Sequence, residues 1–248
     1  MAAQQGFEYE KNTTNLLKTY GLSDGIFAGS SHDRPDLMLT YKGQKAGCEL
    51  KITAASAGSL VIKYDSKDSR NPWKFGNIGE NDSEKLFIRD LAEEVGLFDI
   101  MKKQWSEIPY KRDKDDLWKA TAGKLTKMQV YERDRDTFRD IKGEIPASKI
   151  EDYYNKKKTY YVNVGTHGFY LLGNKNPLKL KDIPRFGTAA KATYRARVQY
   201  KGSGGSYQFT FEMQFSIPSG KKSKYNIAPV DGKTVNIIKK DMDLSCFP

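Results

Sequence analysis

The chain is poor in the residues that build covalent or metal frameworks: it has two cysteines and two histidines in 248 residues. Cys48 and Cys246 cannot form a disulfide framework, and Cys48 lies on an apolar strand face, so a reducing compartment is expected. With His32 and His167 scattered away from those cysteines, no structural zinc site is expected. No apolar run is long enough to span a bilayer. The opening Met1-Ala2-Ala3-Gln4-Gln5 has neither a basic start nor an apolar stretch and does not read as a secretory signal. A cytoplasmic, non-membrane protein is the expectation. The length suffices for one domain or two small ones.

Acidic residues are also scarce, but only in one part of the chain. Residues 1–150 carry 25 Lys+Arg against 24 Asp+Glu, whereas residues 151–248 carry 17 against 7. Nearly all of the net charge of +11 therefore falls in the last two-fifths. A concentrated basic surface attracts polyanions, and each neutralised phosphate adds salt-sensitive affinity. Excess lysine also serves plain solubility, so charge alone favours nucleic acid without proving it.

The densest chemical signal is an acidic hairpin. Arg34-Pro35-Asp36-Leu37-Met38-Leu39-Thr40-Tyr41 is followed, after a short connector, by Gly47-Cys48-Glu49-Leu50-Lys51-Ile52-Thr53. Strand residues i and i+2 share a face. Glu49, Lys51 and Thr53 therefore point one way, and Cys48, Leu50 and Ile52 point into a core. Lys42-Gly43 reads as a two-residue turn, with Gly43 free to take positive φ. That loop pairs Tyr41 with Gln44 and Leu37 with Cys48, which puts Asp36 opposite Glu49 and beside Lys51. Two such carboxylates repel unless one is protonated or a cation lies between them. Mg²⁺ suits the arrangement, since it is held by one or two carboxylates, waters and phosphate oxygens. Lys51 is then placed to hold a water or to stabilise charge on a phosphate. Asp65-Ser66-Lys67, Asp140-Ile141-Lys142 and Asp231-Gly232-Lys233 share the short acid-x-Lys spacing but lack an acidic partner strand. The competing reading is a set of solvated charges on a sheet face.

Upstream, residues 6–20 read as a helix stopped at Gly21-Leu22. Phe7, Glu10, Thr14 and Leu17 fall near one stripe, so Glu10 either reaches past the rim into solvent or points at the acidic hairpin.

These features resemble the PD-(D/E)xK nuclease superfamily over about the first 53 residues, and within it the archaeal-type Holliday-junction resolvases and some restriction endonucleases. The resemblance rests on Glu10, Leu16-Leu17, Gly21-Leu22, the loop Ala28-Gly29-Ser30-Ser31-His32-Asp33-Arg34, the Pro35-Asp36 pair and Glu49-Leu50-Lys51. It implies Asp36 and Glu49 as metal ligands, completed by the Leu50 main-chain carbonyl. It implies that Lys51 positions or activates the attacking water and that Glu10 is an accessory ligand. Ser30, Ser31, His32 and Arg34 are then candidates for substrate contact. Mg²⁺, with Mn²⁺ as a substitute, is the implied cofactor, and 5′-phosphate and 3′-hydroxyl ends the implied products. The text after Thr53 does not follow the compact resolvase pattern, which leaves the substrate open.

The rest of the chain supplies elements around that core. Strands are expected at 25–29 and 60–64, the second extending the catalytic sheet, then a loop over 65–81. A helix capped by Asp82 or Ser83 carries a stripe of Phe87, Leu91, Val95, Phe98 and Trp105, broken at Gly96. Residues 106–119 read as a connector and 124–141 as a helix with Met128, Tyr131 and Phe138 buried. A helix from Ser148 through Tyr154 ends at Lys156-Lys157-Lys158, where cations suit the helix terminus. Strands follow at 160–164 and 169–172, with His167 read as a turn residue between them. Residues 193–201 and 207–216 alternate as a hairpin around Gly202-Ser203-Gly204-Gly205. Arg195 and Arg197 share its polar face, suited either to phosphate or guanine or to solvent. Lys221-Lys222-Ser223-Lys224 is a basic run that could flank DNA.

The expected fold is α/β: a restriction-endonuclease-like central mixed sheet flanked by helices, a helical insertion, and a basic β-rich C-terminal part. The expected division is a nuclease core over 1–64, an insertion over 65–120, the remainder of the core over 121–175, and a nucleic-acid-binding part over 176–248. The expected function is a Mg²⁺-dependent DNA endonuclease acting on duplex DNA as a homodimer. The alternatives are a junction resolvase, cleavage of RNA, and a nucleic-acid-binding protein without catalysis. A small chain with its own nuclease site fits a phage or a restriction system.

Overall fold

The computed structural model describes residues 2–27, 34–53, 56–65, 67–105, 127–201, 206–230 and 241–248. The chain is mixed α/β, with two five-stranded sheets and six helices among the described residues. It forms two compact units. One comprises residues 1–55, 145–192 and 215–248; the other comprises 56–144 and 193–214.

The first unit opens with helix α1, Ala2–Thr19. Gly21 ends it at φ +70°, with Leu22 N–H donating to Leu17 O at 2.9 Å and Gly21 N–H to Lys18 O at 3.0 Å. That pair of bonds is a Schellman stop, which requires a residue free to turn left-handed. The buried stripe is Tyr9, Thr13, Thr14, Leu16 and Leu17, with Glu10 at its rim. Phe7, expected on the stripe, is exposed.

Strands β1 (Ser23–Phe27), β2 (Leu37–Tyr41) and β3 (Gln44–Lys51) follow, antiparallel in sequence. The β2–β3 register is the expected one, Tyr41↔Gln44 through Leu37↔Cys48. Lys42 at φ +46° and Gly43 at φ +78° make the two-residue turn that sets it. Helix α5 (Ala147–Lys156) later leads into β7 (Thr159–Val164), which pairs parallel with β3, and β8 (Gly168–Leu171) closes the order β1-β2-β3-β7-β8. One face of this mixed sheet, with Leu37, Leu39, Cys48, Leu50, Tyr161 and Phe169, packs on Tyr9 and Leu17 of α1.

The second unit holds the other sheet, order β5-β4-β10-β9-β6, from β4 (Ser56–Tyr64), β5 (Trp73–Phe75), β6 (Ile141–Ile145), β9 (Lys191–Lys201) and β10 (Ser206–Ser216). Its helices are α2 (Ser83–Glu94), α3 (Leu97–Gln104) and α4 (Lys127–Thr137). Asp82 caps α2 by accepting Lys85 N–H at 3.0 Å, and Gly96 at φ +65° separates α2 from α3. The core is aromatic: Trp73, Trp105, Phe138 and Phe209 stand 5.0–5.6 Å apart, mostly edge to face.

Several expectations change. Residues 60–64 do not extend the sheet that holds β2 and β3, because β4 pairs with β10 through Phe209↔Ile62 and Phe211↔Leu60. The insertion therefore begins at 56, runs to 144 and recruits the 193–214 hairpin, rather than stopping at 120. The stretch 176–248 is accordingly not one part: Tyr225, Ile227, Ala228 and Cys246 return to the core of the first unit. Residues 65–81 also contain β5, and 141 begins a strand instead of ending a helix. The short helix α6 (Phe186–Ala189) has no counterpart in the sequence reading. Residues 106–119 and 202–205 lie outside the described residues.

Candidate active site

Alternation along β3 turns Cys48 and Leu50 toward α1 and Glu49 and Lys51 to the opposite face. Glu49 and Lys51 pair in the parallel register with Val162 and Val164, both fully buried. Glu49 is itself buried, and Lys51 Nζ donates to Glu49 Oε1 at 2.6 Å. Glu49 Oε2 is buried and, among the described residues, accepts no well-formed hydrogen bond.

The β2–β3 ladder stops at Leu37↔Cys48, and Asp36 follows one residue beyond it. Asp36 Oδ2 accepts the Leu50 N–H at 2.7 Å. A strand residue directs its N–H and C=O to the same neighbour, so the Leu50 carbonyl faces the edge where Asp36 stands. Lys51 O faces the other edge, accepting Gly165 N–H at 2.8 Å.

Electrostatics tie the helix glutamate to this group. Burial, then Glu49, push Asp36 up to about 8; the Lys51 ammonium, Glu10 and the Leu50 N–H also act on it. Burial raises Glu10 to about 7, with Lys51 pulling down and Glu49 pushing up. Burial opposes the Lys51 charge, but Glu49, then Tyr154 and Asp36, outweigh it and hold the ammonium well above its ordinary range. The ammonium is therefore placed to orient a water or a phosphate.

Tyr154 joins this group without a signal in the sequence that places it there. Helical periodicity on α5 marks it as buried alongside Ile150, but periodicity does not say what it faces. Its phenol is fully buried and meets Glu49 first, then Lys51 and Asp36. The hydroxyl and Glu49 Oε2 approach each other without a well-formed hydrogen bond. On the α1 side a second polar set supports the strands: Tyr9 hydroxyl donates to Ala228 O at 2.6 Å, and Asn163 Nδ2 donates to Tyr9 Oη at 3.1 Å. Asn163 Oδ1 accepts Ile227 N–H at 3.2 Å.

The donor set suits a hard divalent cation: two carboxylates, one with an unused buried oxygen, and a main-chain carbonyl on the same edge. Among the described residues, no group of three or more His, Cys, Asp or Glu is close enough to hold a metal between its side chains.

The remaining candidates are dispersed. Ser30, Ser31 and His32 lie outside the described residues, and Arg34 is exposed two residues before Asp36. Arg195 and Arg197 lie on β9 in the second unit, and both pair with Glu212. Arg195 Nε donates to Glu212 Oε1 at 2.6 Å, and Arg195 also pairs with Asp140 at 3.6 Å. Lys221 and Lys222 are exposed in the first unit. No helix among the described residues is long and apolar enough to cross a membrane. No family model, curated protein or solved structure matches this chain.

Proposed function

We propose that this chain is a divalent-metal-dependent DNA endonuclease of the PD-(D/E)xK type, cutting phosphodiester bonds by hydrolysis. The observation that carries the reading is the geometry at the end of β2–β3: Asp36 accepts the Leu50 N–H at 2.7 Å and Glu49 accepts from Lys51 Nζ at 2.6 Å, so two acids share the neighbourhood of one ammonium. Carboxylates gathered so closely in a buried place disfavour ionisation, and a bound cation removes that cost. The mixed sheet, with α1 on one face and α5 behind β7, supports the same reading.

Asp36, Glu49 and the Leu50 carbonyl would hold a Mg²⁺ ion, which would supply charge neutralisation at the phosphate and lower the pKa of water. The protein does the rest by position. Lys51, fixed by Glu49 and flanked by Val164, holds the attacking water or a phosphate oxygen in line. Glu10, with its carboxyl at about 7, is poised to exchange a proton near neutral pH. Cutting both strands of a duplex calls for two such sites, so the working unit is a homodimer.

The test is cleavage of supercoiled plasmid, linear duplex and a four-way junction with and without Mg²⁺, alongside Lys51→Ala. Mg²⁺-dependent cleavage by the wild type alone supports the reading, and the preferred substrate separates duplex from junction activity. Tight DNA binding with no cleavage of any substrate overturns it in favour of a non-catalytic binding protein.

A further inference from the structure

His167 and the basic run at 221–224 are distant in sequence, yet they form one structure at the end of the catalytic sheet. β3 and β7 run parallel and finish together, Lys51 beside Val164. The next amide, Gly165 N–H, donates to Lys51 O at 2.8 Å, so the turn Gly165-Thr166-His167 begins where the catalytic strand stops. It is packed close: a Cβ on Gly165 would stand 3.0 Å from the hydroxyl of Tyr9, the neighbour of Glu10.

The basic run is clamped onto this turn by backbone contacts. Ser223 N–H donates to His167 O at 2.8 Å, and Phe169 N–H to Tyr225 O at 2.8 Å. The Tyr170 hydroxyl accepts Ser223 N–H at 2.9 Å and lies 2.8 Å from His167 O and 3.0 Å from Lys221 O. Gly168, at φ +101°, makes the approach possible, since a Cβ there would collide with Tyr225 O.

Lys221 and Lys222 are exposed, and among the described residues neither makes an ion pair. Lys222 stands near enough to His167 to add to burial in lowering the imidazole's proton affinity. Lys224 differs: it lies over the Tyr225 ring at 4.8 Å and is balanced by Asp182 and Asp243. Two exposed lysines with no ion pair among the described residues, anchored to the turn that continues from Lys51, suit an anion repeated along a chain.

We infer that Lys221, Lys222 and the Thr166–His167 turn form a rim that grips the sugar-phosphate backbone of a nucleic acid beside the Asp36–Glu49–Lys51 site. Such contacts position the strand without reading its sequence. The phosphate-binding claim stands apart from catalysis; only its role in aligning the scissile bond rests on the endonuclease reading.

The test is equilibrium binding of a fluorescent duplex oligonucleotide in EDTA over a salt series. Wild type is compared with Lys222→Ala, with Lys221→Ala/Lys222→Ala, and with Lys191→Ala as a control for charge removed elsewhere. The plot of log affinity against log salt should flatten by about 0.9 for each phosphate no longer neutralised, roughly 1.8 for the double variant. The weakening should be the same for unrelated duplex sequences, with unchanged circular dichroism. A slope unchanged from wild type, or moved no further than by Lys191→Ala, overturns the rim, as does a wild type with no salt-sensitive duplex binding. If the slope falls but no substrate is ever cleaved, the rim stands and the endonuclease reading is the one that fails.

Discussion

Lys51 Nζ lies 2.6 Å from Glu49 Oε1, two residues away on the same face of β3, with only 4% of the Glu49 side chain exposed. Removing one partner of a buried pair strands the other, which typically costs about 3–5 kcal/mol. Lys51→Ala should therefore lose stability in urea as well as cleavage, the latter by about 100- to 1000-fold. Glu49→Gln/Lys51→Met removes both charges and should recover most of the stability while staying inactive. Wild-type cleavage in either variant would contradict the assigned roles.

The acids of the site should make the metal-free protein less stable as pH rises. Asp36 moves from its ordinary 3.8 to about 8, chiefly through burial and Glu49, and Glu10 moves from 4.5 to about 7 through burial. Both bind protons more tightly folded than unfolded. Their stabilisation is complete below the unfolded values near pH 4 and is lost as pH rises through about 7 and 8. In EDTA the melting temperature should fall between about pH 4 and pH 8, and Mg²⁺ at pH 8 should restore it by mass action. Asp36→Asn should flatten this profile and stabilise the metal-free protein at pH 8 while abolishing cleavage. A melting temperature independent of pH and of Mg²⁺ would contradict the assignment.

Tyr154→Phe isolates the hydroxyl that faces Glu49. That hydroxyl has no well-formed hydrogen bond among the described residues, so its removal should change stability by less than about 1 kcal/mol. If it helps aim the Glu49 carboxylate, cleavage should fall roughly tenfold, with a raised Mg²⁺ requirement and unchanged duplex affinity. Wild-type Mg²⁺ dependence and rate would leave Tyr154 a packing residue only.

Local chemistry is legible wherever neighbours in sequence are neighbours in space. Lys42-Gly43 and the alternation on either side set the register that brings Asp36 to Glu49 and Leu50. The helix phase departs from expectation at Phe7, because hydrophobicity favours it while packing buries Tyr9 and Thr13 instead. The sheet membership of residues 56–64 is not legible, since it depends on pairing with β10 some 150 residues later. Tyr154 and Asn163 escape for a related reason: burial follows from periodicity, but the partner across the sheet follows only from the fold. Arg195 and Arg197 fall on the expected face, yet their partner Glu212 belongs to the neighbouring strand of the hairpin.

That last pairing predicts which arginines build the sheet and which cations bind substrate. Glu212 is buried, with Arg195 at 2.6 Å and Arg197 at 2.9 Å. Glu212→Ala leaves two guanidiniums facing each other and should destabilise the second unit by about 3–5 kcal/mol in urea. Arg197→Ala should likewise cost stability, because Glu212 loses part of its compensation in a poorly hydrated place. Arg197→Ala should not alter the salt slope of duplex binding by as much as one neutralised phosphate, since that charge already has its partner in Glu212. A slope reduced by about 0.9 in Arg197→Ala, with stability unchanged, would reverse that division and place β9 against the nucleic acid.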